Sequence, residues 1–354
     1  MMIESFGAVL LPLAMLAGAL AILLYSADRL VGASEEVGVA LGVPPFLIGV
    51  TILAVGTSLP ELVTGIFAVF EGSGEIVVGT TIGSNIANIL LILGFTAVYA
   101  KEISIDWDLL HGDLPVLFGS LMLMGFVIYP VSGADLDFFR GFDAQGADAT
   151  RTMGARAHIS VLEGVILIGG YLLYIYYYMN FENPVLDNSG GAAADSRRIG
   201  VKPLLWIVAG LIGVPIGANF TVNAAVQLAE LFAVSKEVVA ASMISIGTSL
   251  PELVVSYNAA KRKNYAMALG NVTGSNIFNT FVVLGVPAIL APSVGKKVPL
   301  PVGDESILFL QMPYYVATVL VFLVIILDKK LTRTEGLIFL AAYVVFIAKL
   351  YSLI

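Results

Sequence analysis

Cysteine is absent from the 354-residue chain, so it forms neither disulfides nor thiolate metal sites. Histidine occurs only as His111 and His158, and neither has a partner at metal-ligand spacing. Charge is scarce as well: acidic and basic residues make up 12% of the chain against 58% hydrophobic residues. The mean hydropathy of +0.94 excludes an ordinary soluble domain and implies several membrane spans. The net charge is −8, and no basic patch with interleaved aromatics offers a surface to nucleic acid. No Lys or Arg precedes the apolar segment 7–25, which is therefore expected to be a first span and not a cleaved signal.

A hydrocarbon core takes about 20 apolar residues per helix. By that rule the sequence parses into ten expected spans, 7–26, 45–70, 75–99, 114–130, 158–180, 203–231, 236–260, 265–290, 307–327 and 335–353. The apolar runs are continuous and do not alternate in period two, which selects helices over a β-barrel. Basic residues are more numerous on one side, at Arg29, Lys101, Arg197, Arg198, Lys202, Lys261, Arg262, Lys263, Lys329, Lys330 and Arg333. The other side holds Arg140, Arg151, Arg156, Lys236, Lys296 and Lys297. The richer side is expected to be cytoplasmic and both termini to lie outside.

One motif is written twice. Gly56-Thr57-Ser58-Leu59-Pro60-Glu61-Leu62-Val63 returns unchanged from Gly247 to Val254, an offset of 247 − 56 = 191. The segment Gly83-Ser84-Asn85-Ile86-Ala87-Asn88 returns as Gly274-Ser275-Asn276-Ile277-Phe278-Asn279, again offset by 274 − 83 = 191. With five spans per half, the second copy must enter the bilayer in the opposite direction. The expected fold is therefore an all-α integral membrane protein of two inverted five-helix repeats, with helices 2, 3, 7 and 8 broken at the centre. The repeats are expected at 1–180 and 203–354, joined by a cytoplasmic linker at 181–202 containing Gly190-Gly191.

Chemistry is concentrated in these motifs. An ionisable group within a span costs about 2.5–3.5 kcal/mol on insertion scales, so Glu61 and Glu252 read as functional. Pro60 cannot donate a hydrogen bond and its ring clashes with the Gly56 carbonyl, so the helix should break between 56 and 60. The carbonyls around Ala54, Val55 and Gly56 would then lack helical partners, and cation coordination would satisfy them. Beyond the break, Thr57, Ser58 and Glu61 share a face by i, i+3 and i, i+4 spacing. Ser84 and Asn88 present two more oxygens, and the second half repeats the set at Ser245, Thr248, Ser249, Glu252, Ser275 and Asn279. Two carboxylates meeting in low dielectric require something positive between them. Every candidate ligand is an oxygen, which suits hard cations, calcium above all, with hydroxyl and carbonyl pockets suited to sodium.

Elsewhere the polar residues have plainer readings. Asp28 and Arg29 are expected to form an interfacial pair at the end of the first span, and Glu35 and Glu36 to be solvated. Asp135, Asp137, Asp143 and Asp148 suggest an exposed loop. Tyr174, Tyr176, Tyr177 and Tyr178 suit an aromatic belt. Spans nine and ten carry no comparable polar cluster and read as scaffold.

The paired motifs resemble those of the calcium/cation antiporter superfamily, in its sodium/calcium exchanger branch, and the resemblance covers essentially the whole membrane chain. It implies ten helices in two inverted fives. It implies calcium ligands at Glu61 and Glu252, helped by the Thr57 and Thr248 carbonyls. It implies sodium ligands at Ser58, Ser84, Ser249 and Ser275 with the carbonyls of Ala54 and Ser245, while Asn88 and Asn279 line the centre. It also implies that the first and sixth spans slide to alternate access. Calcium/proton members of the superfamily read G-N-x-x-E where both copies here read G-T-S-L-P-E, which favours sodium. Asn279 stands where potassium-dependent relatives have aspartate, which makes potassium a poorer fit.

The expected function is sodium-driven calcium antiport, with proton-driven calcium or cation exchange as the alternative. No cofactor, catalytic residue or protein partner is expected, and the chain should act as a monomer. An ion channel belongs to a different class. An intramembrane protease would need a histidine beside its serine or paired aspartates within a span, and the sequence supplies neither.

Overall fold

The computed structural model describes residues 2–43, 45–105, 113–129, 158–181, 200–231, 247–293, 299–302 and 306–351. Among these residues six helices are long and apolar enough to cross a bilayer, Leu10–Leu41, Pro45–Phe70, Ile76–Ala100, Val201–Ala224, Tyr265–Ser293 and Ile307–Ile326, with shorter apolar helices at Leu114–Ile128 and Val161–Tyr177. Those lengths and compositions make the chain an all-α membrane protein. The expected linker at 181–202, the acidic loop and His111 lie essentially outside the described residues.

Helix α1 (Met2–Leu41) is far longer than the expected 7–26 and carries Asp28, Arg29, Glu35 and Glu36 within it. Glu36 is exposed, and the other three charges find partners that let the helix continue. Asp28 pairs with Arg262 at 2.8 Å, not with its neighbour Arg29. The Arg29 guanidinium lies 5.0 Å from the Tyr25 ring centre and 5.1 Å from that of Trp206, a cation–π arrangement. Glu35 accepts from Asn264 at 3.3 Å.

The second span is segmented into α2 (Pro45–Ile48), a π-helical turn Gly49–Leu53, α3 (Ala54–Thr57) and α4 (Leu59–Phe70). The expected break is present at Ser58, where φ is −90° and ψ is 4°. Its copy at Ser249, φ −88° and ψ 2°, precedes α10 (Leu250–Lys261). Proline follows each break at the second helical position, where the absence of its N–H costs nothing.

The third and eighth spans differ from expectation. They do not break but widen, with α5 (Glu75–Ala87) passing through a π-helical segment Asn88–Leu93 into α6 (Gly94–Ala100). Likewise α11 (Tyr265–Phe278) passes through Asn279–Val283 into α12 (Leu284–Leu290). Neither motif holds a proline at that point, so the backbone keeps its hydrogen bonds through a wide turn, a device frequent at functional sites. Each widening begins at the motif asparagine, Asn88 or Asn279.

The remaining helices are α7 (Asp113–Ile128), α8 (Val161–Phe181), α9 (Val201–Leu231), α13 (Met312–Ile326) and α14 (Arg333–Leu350). Two short antiparallel strand pairs add to the expected all-α fold. Strand β1 (Glu102–Ser104) pairs with β4 (Lys330–Thr332), and β2 (His158–Ile159) with β3 (Leu300–Pro301). His158 thus lies in a strand and does not open a helix. In each pair one strand follows a π-widened span and the other leads into a capped helix. Thr332 and Glu335 form a capping box at α14, and Ser160 and Glu163 make the same reciprocal bonds at α8. The offsets are 332 − 160 = 172 and 335 − 163 = 172.

Packing repeats as well. Gly94 and Gly336 meet backbone to backbone, so that a Cβ on either would sit 3.0 or 2.7 Å from the other's carbonyl oxygen; Gly164 and Gly285 meet in the same way at 2.8 and 3.1 Å. Among the described residues the buried apolar side chains form two main clusters. The larger gathers side chains of the second and third spans, α7 and α8 with α11–α14, and the smaller joins α1 and α9 to Ile48, Leu53, α10 and the start of α11. Tyr174 is buried in the larger core and so is not part of an aromatic belt, whereas Tyr176 and Tyr177 are exposed.

Candidate functional site

The two breaks bring the duplicated motifs face to face. Glu61 occupies the first turn of α4 and Glu252 the first turn of α10, where the positive end of the helix dipole favours an acid. Both are buried, at 5% and 0% exposure.

Cross-contacts knit the halves together. Ser58 donates to Glu252 Oε1 at 2.9 Å, and the Ser84 and Thr248 hydroxyls lie 3.3 Å apart. The Thr57 hydroxyl lies 3.5 Å from that of Ser275. Asn88 Nδ2 donates to Asn276 Oδ1 at 2.9 Å. Backbone proximity makes these contacts possible: a Cβ on Gly270 would collide with the Phe46 carbonyl, and one on Gly274 would lie 2.6 Å from Val50 Cα.

Several expected groups have no such contact. Among buried atoms without a hydrogen-bond partner are Glu61 Oε1 and Oε2, Glu252 Oε2, Asn88 Oδ1, Ser249 Oγ, and both amide atoms of Asn279. Native structures leave few buried polar groups unpaired, and these cluster in the duplicated motifs. The Ala54 carbonyl departs from expectation: it accepts the Ser58 N–H at 3.1 Å, because the chain makes one more helical bond before the break. Thr248 is half-buried beside Ser84. Ser245 lies outside the described residues.

Sequence reasoning missed part of the polar centre. Asn85 Nδ2 reaches Thr280 Oγ1 at 3.1 Å and the Tyr315 hydroxyl at 3.2 Å. Tyr315 is on α13, within the span read as scaffold, and is fully buried. A tyrosine in the middle of an apolar span was the available signal, since a buried phenol usually finds a partner. Asn271 and Ser256 were also missed, being single residues outside the exactly repeated octet. Asn271 Nδ2 donates to Ser256 Oγ at 2.9 Å.

Two buried glutamates with hydroxyl and amide groups nearby, and no imidazole or thiolate in either duplicated motif, offer the oxygen donors that hard cations take. The family model for "Sodium/calcium exchanger protein" matches residues 11–180 and 202–351. The chain belongs to the sodium/calcium exchanger family. This exchanger is 31% identical to the Inner membrane protein YrbG of Escherichia coli (strain K12) over 352 residues, 97% of this chain and 98% of the relative. It is 29% identical to the Sodium/calcium exchanger MaX1 of Methanosarcina acetivorans over 350 residues, 94% and 96% of the two chains. Among solved structures, the exchanger resembles the sodium-calcium exchanger NCX_Mj with a TM-score of 0.72 and 30% identity, covering 96% of this chain and 98% of that one. The family is one of cation antiporters, which fits a buried centre of carboxylate, hydroxyl and amide groups.

Proposed function

We propose that this antiporter exchanges sodium for calcium by alternating access, with calcium held between Glu61 and Glu252. The observation that carries the reading is the set of unpartnered buried acceptors, three of them carboxylate oxygens, drawn from both copies of the motif. A calcium ion takes six to eight oxygens and would neutralise both carboxylates. The Thr57 and Thr248 carbonyls would complete its shell. Sodium ions would occupy the flanking pockets of Ser58, Ser84, Ser249 and Ser275 with the carbonyls of Ala54 and Ser245, and Asn88 and Asn279 would line the centre.

The architecture proposed with it is ten spans in two inverted repeats, 1–180 and 203–354, around a cytoplasmic linker at 181–202, with both termini outside. Support comes from the constant offset of 191, the matched breaks at Ser58 and Ser249, the matched strand pairs and caps, and a family match that falls in two segments. The relatives named for sodium/calcium exchange support the choice of ions. The protein is proposed to work as a monomer and without a cofactor.

The deciding experiment measures calcium uptake into proteoliposomes under a sodium gradient and, separately, under a proton gradient. Uptake is expected with outwardly directed sodium alone. Uptake driven only by protons would replace the sodium-coupled reading with the proton-coupled one.

A further inference from the structure

Thr57 Oγ1 carries one proton and has three acceptors in reach: the Ala54 carbonyl at 3.4 Å, Asn271 Oδ1 at 3.4 Å and Ser275 Oγ at 3.5 Å. Which acceptor takes the proton decides how many oxygens stay open on this side of the centre. Asn271 is fully buried, and its amide has a fixed sense. Its Nδ2 donates to Ser256 Oγ at 2.9 Å and lies 3.4 Å from the Glu252 carbonyl, so its oxygen must face Thr57. An Asn is assigned from its network in this way, and here the Glu252 carbonyl, which can only accept, fixes the sense.

We propose that Asn271 is a positioning residue for sodium. It draws the Thr57 hydroxyl proton to itself and leaves lone pairs of Ala54 O, Thr57 Oγ1 and Ser275 Oγ directed at the ion. At the same time its nitrogen anchors α10 one turn beyond Glu252, through Ser256. The inference rests on the sodium pocket of the exchanger reading and adds a residue outside it.

The other half does not contain this clamp. The position matching Asn271 is 271 − 191 = 80, a threonine whose hydroxyl donates to the Ile76 and Val77 carbonyls of its own helix at 2.8 and 3.1 Å. The position matching Ser256 is 256 − 191 = 65, a glycine. The clamp preorganises the pocket at Ala54 and Ser275, and preorganisation raises affinity by removing an ordering cost.

The test uses full-length protein in detergent, loaded with radioactive calcium and titrated with sodium chloride, alongside calcium affinity in sodium-free buffer. In Asn271→Thr, the sodium concentration for half-release is expected to rise about three- to tenfold, the scale of one lost hydrogen bond, with sodium-free calcium affinity shifting less than about twofold. Ser256→Ala should move in the same direction by less. Ser256→Thr, which keeps the hydroxyl, should match the parent, and this pair carries the test should Asn271→Thr fail to fold. Unchanged sodium response in Asn271→Thr and Ser256→Ala, or equal weakening of sodium and calcium, would overturn the role of Asn271. A parent protein that holds calcium regardless of sodium would instead overturn the sodium-coupled reading, and the two failures are read in different samples.

Discussion

Asn85 and Asn276, 191 positions apart, each donate a side-chain amide to the other's backbone carbonyl, at 3.5 and 3.3 Å. The two bonds are related by the same exchange of positions as the duplicated motif. The relation fails one bond away. Asn88 Nδ2 reaches Asn276 Oδ1 at 2.9 Å, but the matching bond from Asn279 to Asn85 is absent, and Asn279 Nδ2, Asn279 Oδ1 and Asn85 Oδ1 are all left unpartnered. The side chains of the two copies are thus paired unequally, and buried oxygens without partners lie where ions are proposed to bind.

Glu61 has both carboxylate oxygens buried and unpartnered, whereas Glu252 has one held by Ser58. Replacing Glu61 by Gln removes a repulsive buried charge when no ion is present and a ligand when one is. Glu61→Gln is therefore expected to raise the ion-free melting temperature and to abolish calcium stabilisation, which for the parent should be about 2.7 kcal/mol at calcium one hundredfold above Kd. Thermal unfolding in detergent with and without calcium gives both readings. Glu252→Gln should also abolish calcium uptake, and uptake at the parental rate in either variant contradicts the central pair.

Ser275 lies beside Thr57 and within the proposed sodium pocket. Ser275→Ala removes one neutral oxygen and no charge. Its effect should fall on the sodium concentration needed to release calcium, while calcium affinity in sodium-free buffer stays close to the parent's. A loss of calcium affinity equal to the loss for sodium would place Ser275 on the calcium ion.

Tyr315 shares the Asn85 amide with Thr280. Tyr315→Phe keeps the ring's packing and leaves Asn85 Nδ2 one good acceptor, so the cost should be that of a single net hydrogen bond, about 0.5–1.5 kcal/mol. Melting temperature reports it. A loss several times larger would mean that the phenol supports more of the polar centre than Asn85.

The motif residues were legible because their signal is duplicated: two carboxylates, two prolines and two asparagine pairs at one offset stand out against apolar spans. The break at Ser58 followed from the steric demand of Pro60, and its copy at Ser249 from repetition. What could not be read was chemistry written once. Tyr315, Asn271 and Ser256 have no identical twin at 191, and Tyr315 and Asn271 meet Asn85 and Thr57 from helices distant in sequence. The capping boxes at Ser160 and Thr332 escaped for a related reason, since they repeat at 172. The length of α1 was underestimated because Asp28, Arg29 and Glu35 look like an interface until Arg262, Trp206 and Asn264 are seen to receive them.

That reception leads to a prediction of sign. A Cβ on Gly32 would lie 2.9 to 3.1 Å from the Arg262 guanidinium atoms, which pair with Asp28. The pair is well exposed, at 34% and 43% of its side chains, and exposed pairs contribute about 0.2–1 kcal/mol. Gly32→Ala gains about 0.8–1 kcal/mol of helix propensity but pushes the guanidinium away, so in the parent the two terms should nearly cancel. With Arg262→Ala in the background nothing is displaced, and the same substitution should stabilise by the full propensity difference. Melting temperatures of the four proteins in this cycle measure the coupling. Equal effects of Gly32→Ala in both backgrounds would show that the guanidinium does not sit against α1 as described.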